Sequence, residues 1–198
     1  MAKLTGFGLK EVADVEFYPR LTNVTVTAGT AQAGPGITVT PTSTAAKYTF
    51  DSLKVSNIEV ASEDVSARGG KGNPELISWS YGKEITFTME DALLSTDTLD
   101  LMFGAKEDGG STLTIDANSF PEYYTIIGKT VVRSYEDGHD EPFIFVIPKA
   151  KVQVNGTLTM EAEGDPSTLE LTIKAMSATL GDDEDVVIKF FQPGIAEG

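Results

Sequence analysis

The sequence predicts a mainly β fold, an antiparallel β-sandwich or half-barrel with one short flanking α-helix at about Ser95–Phe103. Alternation of apolar and polar residues recurs along most of the 198-residue chain, as expected for half-buried strands. Only one stretch has apolar residues at helical spacing between recognisable caps. The length suits a single domain over residues 1–198, and the 40% apolar content is enough for a core.

Six stretches are typical of strands because they are rich in Val, Ile, Thr and aromatic residues and are bounded by turn-forming residues. They are Val12–Tyr18, Leu53–Val60, Glu84–Met89, Thr125–Tyr135, Pro142–Val154 and Thr168–Ala178. Pro148 interrupts the fifth stretch and cannot donate to a ladder, so we expect a bulge or a sheet edge there. Turns at Asp137–Gly138, Asn155–Gly156 and Glu163–Ser167 predict an antiparallel meander for the C-terminal half.

The predicted helix has recognisable signals at both ends. Ser95 or Thr96 can cap its N-terminus, and Asp97 places a negative charge at the positive end of the helix dipole. Gly104 stands where a glycine commonly ends a helix. Three apolar side chains at i, i+3 and i+4 spacing should pack against the strands: Leu99, Met102 and Phe103.

Two segments lack a clear strand pattern. Residues 22–44 are rich in Thr, Ala and Gly and have little to bury, so we predict an exposed hairpin or arm. Residues 61–74 are predicted to form an extended glycine-rich loop. In it Lys71 is followed by Gly72 and then by a strand, whereas a phosphate-binding loop needs Ser or Thr after the lysine and a following helix. We therefore expect a connection between strands.

The charge of the chain is strongly negative, with 30 acidic and 15 basic residues and a net charge of −15. Residues 1–99 hold 8 bases and 12 acids, a balance of −4, whereas residues 100–198 hold 7 bases and 18 acids, a balance of −11. Such a surface repels phosphates, which argues against a sequence-reading nucleic-acid binder. Absence of cysteine excludes disulfides and thiolate metal sites. The N-terminal stretch lacks the apolar core of a signal peptide, so we expect synthesis in a cytoplasm.

No motif for catalysis, a cofactor or a metal emerges, so we expect a protein that is not an enzyme. His139, the single histidine, lies in an acidic turn, and no nucleophile elbow accompanies it. The acidic run Gly181–Val187 lacks calcium-loop spacing and suits a solvated loop before the last strand. Paired carboxylates for glycoside chemistry stay open, since their separation is a three-dimensional property.

The stretch "NPELISWSYGKEITFTMEDALLSTDTLDLMFGA" orders a glycine-rich loop, a strand, a tight turn at Tyr81–Lys83, a second strand and a short helix. This succession resembles the middle of the major tail tube proteins of long-tailed bacteriophages, which are related to type VI secretion tubes. The stretches "YYTIIGKTVVRSYEDGHDEPFIFVIPKAKV" and "LTMEAEGDPSTLELTIKAMSA" resemble the closing strands of that family. The resemblance covers roughly residues 50–180.

The resemblance implies a structural virion protein whose subunits form hexameric rings that stack into the tail tube through which DNA is delivered. It implies contacts with further copies and with tail proteins such as the tape measure, the terminator and the baseplate or tip. DNA would pass without sequence-specific binding, the subunit would bind no membrane, and the location would be the virion after assembly in the host cytoplasm.

Two groups of residues are candidates for these roles. Residues in or next to the glycine-rich loop are candidates for contacts between subunits, because a neighbour could offset the entropy cost of ordering that loop: Arg68, Lys71, Asn73, Pro74 and Trp79. Acids of the second half are candidates for a negative tube lumen along which phosphates would slide: Glu161, Glu163, Asp182 and Asp183.

The main alternative is a soluble immunoglobulin-like or carbohydrate-binding β-sandwich. That class predicts an exposed aromatic platform, whereas Trp79, Tyr81 and Phe87 alternate as buried residues do. An enzyme on a jelly-roll scaffold would need a cluster of histidines or carboxylates that one histidine cannot supply.

Overall fold

The chain folds into antiparallel β-structure with one helix in the computed structural model, which describes residues 6–9, 14–28, 37–41, 46–91, 95–107, 112–135, 138–153 and 169–191. The strands within these residues are β1 Phe7–Leu9, β2 Asp14–Pro19, β3 Val24–Ala28, β4 Ile37–Pro41, β5 Tyr48–Phe50, β6 Leu53–Arg68, β7 Glu75–Asp91, β8 Lys106–Glu107, β9 Leu113–Thr114, β10 Tyr123–Ser134, β11 Asp140–Val152, β12 Leu169–Met176, β13 Ala178–Leu180, β14 Asp183–Val186 and β15 Lys189–Phe191. The helix α1 spans Thr96–Phe103. The predicted mainly β fold with one short helix is confirmed.

A nine-stranded antiparallel sheet organises the molecule. Its main path runs β5-β2-β10-β11-β12-β7-β6, with β1 paired to the far end of β10 and β15 paired to β11. Strand β12 pairs with residues 149–152 of β11 and β15 pairs with residues 144–146, so both lie along the same edge of β11. The central strands β10 and β11 contain nearly continuous buried runs, because both of their faces are covered.

Each face of the sheet carries its own apolar cluster. The larger cluster packs α1 against one face, and its largest fully buried side chains include Phe17, Phe87 and Met102. The smaller cluster covers part of the opposite face, where Ile127 and Val146 contact side chains brought in by the segments around β3 and β13. Two layers of side chains on one sheet are what a sandwich or half-barrel requires.

The helix begins and ends as its signals predict. The side chain of Ser95 accepts a hydrogen bond from the backbone N–H of Thr98, and Gly104 ends the helix in the left-handed conformation. The packing face differs in part from the prediction. Leu101 is fully buried beside Met102 and Phe103 packs against the same core, whereas Leu99 is only partly buried. Leu101 thus occupies the buried position that was predicted for Leu99.

Pro148 lies at a β-bulge, as the sequence predicts. Between the pairs Tyr124–Ala150 and Ile126–Ile147, β11 contains one residue more than β10. The carbonyl oxygen of Pro148 accepts a hydrogen bond of 2.9 Å from the hydroxyl of Thr125, which in turn accepts one of 2.8 Å from the N–H of Leu21. Since Thr125 is completely buried, this bridge satisfies polar groups inside the sheet.

The predicted arm at 22–44 contains the hairpin formed by β3 and β4, which pair in antiparallel register from Val24–Pro41 to Ala28–Ile37. The predicted turns at Asn155–Gly156 and Glu163–Ser167 lie outside the described residues. In the acidic run, β13 and β14 form a small hairpin, so the loop predicted for Gly181–Val187 is a turn followed by a strand.

Candidate assembly surface

The hairpin of β6 and β7 continues beyond the point at which β12 stops pairing with β7. Strand β12 pairs with β7 only over residues 85–91, whereas β6 and β7 continue to pair as far as Arg68 and Glu75. We call residues 61–84 the distal hairpin. At roughly 3.3 Å per residue, its strands of about eight residues are about 25 Å long. A segment of that length has no core of its own beneath it.

A β-bulge marks the base of the distal hairpin. Between the pairs Ala61–Glu84 and Glu63–Tyr81, β7 contains one residue more than β6, and Gly82 adopts a φ of 65° there. This is the glycine-containing bulge that bends and twists a strand. The tight turn predicted at Tyr81–Lys83 is therefore wrong, since β7 runs through this point without reversing.

The extended loop predicted for residues 61–74 is wrong for residues 61–68, which belong to β6. Only residues 69–74 form the turn. It is closed by hydrogen bonds from the N–H of Gly69 to the carbonyl of Pro74, 3.2 Å, and from the N–H of Asn73 to that of Gly70, 3.1 Å. Positive φ values at Gly70, Gly72 and Asn73 explain why glycine and asparagine occupy the turn.

The two faces of the distal hairpin differ in polarity. Cross-strand pairing places on one face the side chains of Val65, Ala67, Ile77, Trp79 and Tyr81. The other face carries Asp64, Ser66, Ser78 and Ser80, in which the hydroxyl of Ser80 donates to Asp64. Such alternation is typical of a strand with one buried face. Here, however, no described residue covers the apolar face.

Exposure of the apolar face is substantial. Trp79 is 52% exposed, Tyr81 50% and Ile77 63%, although Phe87 further along the same strand is fully buried. Trp79 and Tyr81, which alternate as buried residues do, are therefore not packed in the core of the isolated chain. A hydrogen bond from Tyr81 to the facing Glu63 raises the pKa of the tyrosine.

Both edges of the distal hairpin are open. Strand β6 is the last strand of the sheet, and no described strand pairs with the other edge of β7 over residues 75–84. Open edges are templates for pairing with another chain, and natural proteins normally shield them. A two-stranded hairpin on its own is at best marginally stable in water. The distal hairpin thus has the features of a surface that a partner completes.

All five residues predicted to contact other subunits lie on the distal hairpin: Arg68, Lys71, Asn73, Pro74 and Trp79. The guanidinium of Arg68 forms an ion pair of 3.5 Å with Glu75 of the same hairpin. Within the part of the chain that the structure describes, Lys71 forms no ion pair. The turn therefore presents one cation already paired and one available to a partner.

The acidic residues predicted to face a lumen are only partly covered by the structure. Glu161 and Glu163 lie outside the described residues, whereas Asp182 and Asp183 are exposed at the turn between β13 and β14. The carboxylate of Asp183 lies 2.8 Å from the ammonium of Lys189. His139 is exposed, as expected for a turn residue.

The described residues contain no candidate group of metal ligands and no candidate membrane-spanning helix. Among them no group of three His, Cys, Asp or Glu side chains is arranged to hold a metal ion. None of the helical structure in the described ranges is long and apolar enough to cross a membrane.

The geometry can now be set beside known proteins. No curated protein sequence matches the chain. The model of the YomU/Tube protein family matches residues 42–110 and 105–188, so together the two segments span 42–188 of the 198 residues. The matched region includes the distal hairpin, the helix and the strands β10 to β12. At the level of a tube protein family, the resemblance seen in the sequence is confirmed, and the chain belongs to the YomU/Tube protein family.

Proposed function

We propose that this chain is the repeating subunit of a bacteriophage tail tube. Copies close into rings, with six subunits as the expected number, and the rings stack into a hollow tube through which DNA leaves the virion. Membership of a tube protein family supports this role. The observation that carries the proposal is the distal hairpin, with its exposed apolar face and two open edges.

The exposed apolar face and the open strand edges are energetically unfavourable in the isolated chain, and this explains why the hairpin suits assembly. Apolar surface stabilises a contact by roughly 25 cal/mol per Å² removed from water, and the side chains of Ile77, Trp79 and Tyr81 are large and half-exposed. A neighbouring copy that covers this face also provides hydrogen-bond partners for the open strand edges. Assembly thereby resolves both unfavourable features of the isolated chain at once.

The charge of the chain suits a conduit for DNA. A net charge of −15 repels phosphates, so DNA would pass through a negative lumen without adhering to it. In this proposal the protein resides in the virion tail after assembly in the host cytoplasm. Its partners are further copies together with the tape measure, terminator and baseplate or tip proteins, and it acts as a structural protein, not an enzyme.

A carbohydrate-binding β-sandwich is the second candidate, because Trp79 and Tyr81 are exposed on one face of a hairpin. Aromatic side chains on an open face can stack on sugar rings. The family match favours the tube subunit. The two candidates differ in whether the aromatic face binds a saccharide or another copy of the chain.

Sedimentation velocity and negative-stain microscopy over a range of protein concentrations test the proposal. We expect wild-type protein to form rings or tubes, and Trp79→Ser to remain largely monomeric. Tyr135→Ser is the matched control, because Tyr135 is 88% exposed and follows β10, outside the distal hairpin. Tyr135→Ser should assemble like wild type. Strictly monomeric wild-type protein at high concentration, with saccharide binding that Trp79→Ser abolishes, would establish the second candidate instead.

A further inference from the structure

A group of lysines stands out on the face of the sheet opposite α1. Lys149 and Lys151 alternate on β11 with Ala150 and Val152, which belong to the core around the helix, so the two lysines point away from that core. Cross-strand pairing places Tyr123 on one side of Lys151 and Lys174 on the other. We call these four residues, Tyr123, Lys149, Lys151 and Lys174, the lysine patch.

Two of the three lysines in the patch have no carboxylate partner among the described residues. The ammonium of Lys149 lies 4.8 Å from the centre of the Tyr123 ring and that of Lys151 lies 5.6 Å from it. Lys174 forms an ion pair of 2.6 Å with Glu84. Over the described ranges, neither Lys149 nor Lys151 forms an ion pair. Two like charges thus share one half-exposed aromatic ring.

This arrangement is unusual in a chain with twice as many acids as bases. Copies that each carry a charge of −15 repel one another, and cations placed at the contact lower that repulsion at short range. Six described lysines and arginines already have carboxylate partners, and the described cations without one remain for such contacts. Lys149 and Lys151 are two of them, and they are adjacent.

We infer that the lysine patch is a contact surface for carboxylates of a second copy of this chain. This inference rests on the proposed self-assembly and adds a second contact beside the base of the distal hairpin, where Lys174 pairs with Glu84. DNA phosphates carry a similar charge, but the remaining surface of the chain repels DNA as a whole. A second copy carries the same net charge, but it also provides the apolar contact of the distal hairpin, which favours association where charge alone does not.

The inference is tested by measuring the fraction of protein that pellets as assemblies at low and at high salt, about 50 and 500 mM. Salt screens interactions between exposed charges much more strongly at the higher concentration. At low salt, we expect Lys149→Glu with Lys151→Glu to lower the assembled fraction by about tenfold or more. Lys149→Arg with Lys151→Arg should assemble like wild type, since arginine keeps the charge and the contact with the ring. Lys149→Gln with Lys151→Gln should give an intermediate loss. This neutral double variant also helps to distinguish a loss of contact from a folding defect. Thermal melting followed by circular dichroism measures the folding of each variant directly.

The matched control is Arg20→Glu with Lys54→Glu, which makes the same change in net charge at two exposed residues outside the patch. We expect it to assemble within about twofold of wild type. Equal assembly of the patch and control variants would overturn the inference but leave the proposed function intact. If the patch variant assembles normally but no longer retards short duplex DNA in a gel, as wild type then does, the inference is also overturned and the proposed function is again left intact. Wild-type protein that stays monomeric would overturn both proposals.

Discussion

The ring of Phe145 lies directly across Gly128 on the neighbouring strand, so that a β-carbon added to the glycine would be 2.1 Å from two of the ring atoms. The same ring packs against Phe87, with the two ring centres 5.4 Å apart. Gly128 therefore makes room for a large aromatic side chain at the point where β10 and β11 form the middle of the sheet. Packing in such a place tolerates little added volume.

Gly128→Ala should destabilise the protein by about 1–3 kcal/mol, because the added methyl group forces the Phe145 ring out of its position. Urea unfolding followed by circular dichroism measures the change. Gly8→Ala is the control, since Gly8 also lies in a strand paired with β10 but nothing lies within 4 Å of its added β-carbon. We expect the control to stay within about 0.5 kcal/mol of wild type. Equal unfolding midpoints for the two variants would contradict this account.

Gly104→Ala should cost more than Gly138→Ala, although both glycines have a similar positive φ, 61° and 70°. Each substitution incurs the left-handed penalty of about 1–2 kcal/mol. At Gly104 the new β-carbon would also lie 2.5 Å from the backbone of Phe120, whereas at Gly138 it meets nothing within 4 Å. The difference in unfolding free energy between the two variants isolates the contact with Phe120. A smaller loss of unfolding free energy for Gly104→Ala than for Gly138→Ala would show that the backbone around Phe120 moves aside with little loss of stability.

Two buried tyrosines should make the protein less stable in alkali. Burial raises the pKa of Tyr18 and Tyr48 above the ordinary 10.0, and hydrogen bonds to Glu16 and Asp100 raise it further. The folded state therefore holds these protons more tightly than the unfolded state does. Their contribution to stability is complete below about pH 10 and is lost as the pH rises above it.

Urea unfolding between about pH 8 and pH 11 measures this loss. Tyr48→Phe should flatten the fall in stability above pH 10, because the group responsible for part of it is absent. Tyr135→Phe removes an 88% exposed hydroxyl and should leave the slope as in wild type. If both variants show the wild-type slope, Tyr48 does not contribute to the alkaline transition.

Trp79, the single tryptophan, makes assembly visible by fluorescence. At 52% exposure it should emit at long wavelength and be readily quenched by acrylamide in the monomer. Burial of the distal hairpin against a neighbour should shift its emission to the blue and reduce quenching as rings form. Trp79→Phe gives the background from tyrosine. Tubes that form with no change in emission or quenching would place the hairpin outside the contact between copies.

Local sequence signals predicted several parts of the fold because they depend on neighbouring residues alone. The cap at Ser95, the glycine that ends the helix and the bulge at Pro148 all follow from backbone donors and φ preferences. The face of the helix was predicted less well. Leu99 and Leu101 are equally apolar, and only the position of the sheet selects which of them is buried.

The strand pairing of the distal hairpin could not be predicted from local sequence signals. Residues 61–68 contain Glu, Asp and Ala, which are individually depleted in strands, yet they pair along their length with β7. Cross-strand pairing overrides propensity in this segment. Gly82 was interpreted as a turn because a glycine with positive φ suits a turn and a bulge equally well, and the partner strand decides between them.

By itself, the sequence determined the fold class, the single helix with its caps and the strongly negative charge. It also identified the segment that holds the predicted contact residues. These properties depend on composition and on spacing along the chain. Only the tertiary structure decided that Trp79 and Tyr81 lie on an uncovered face, because period-two alternation is the same whether that face meets the chain's own core or a partner. The exposure of this face is decided by the residue at which β12 stops pairing with β7. That pairing depends on contacts between residues distant in sequence.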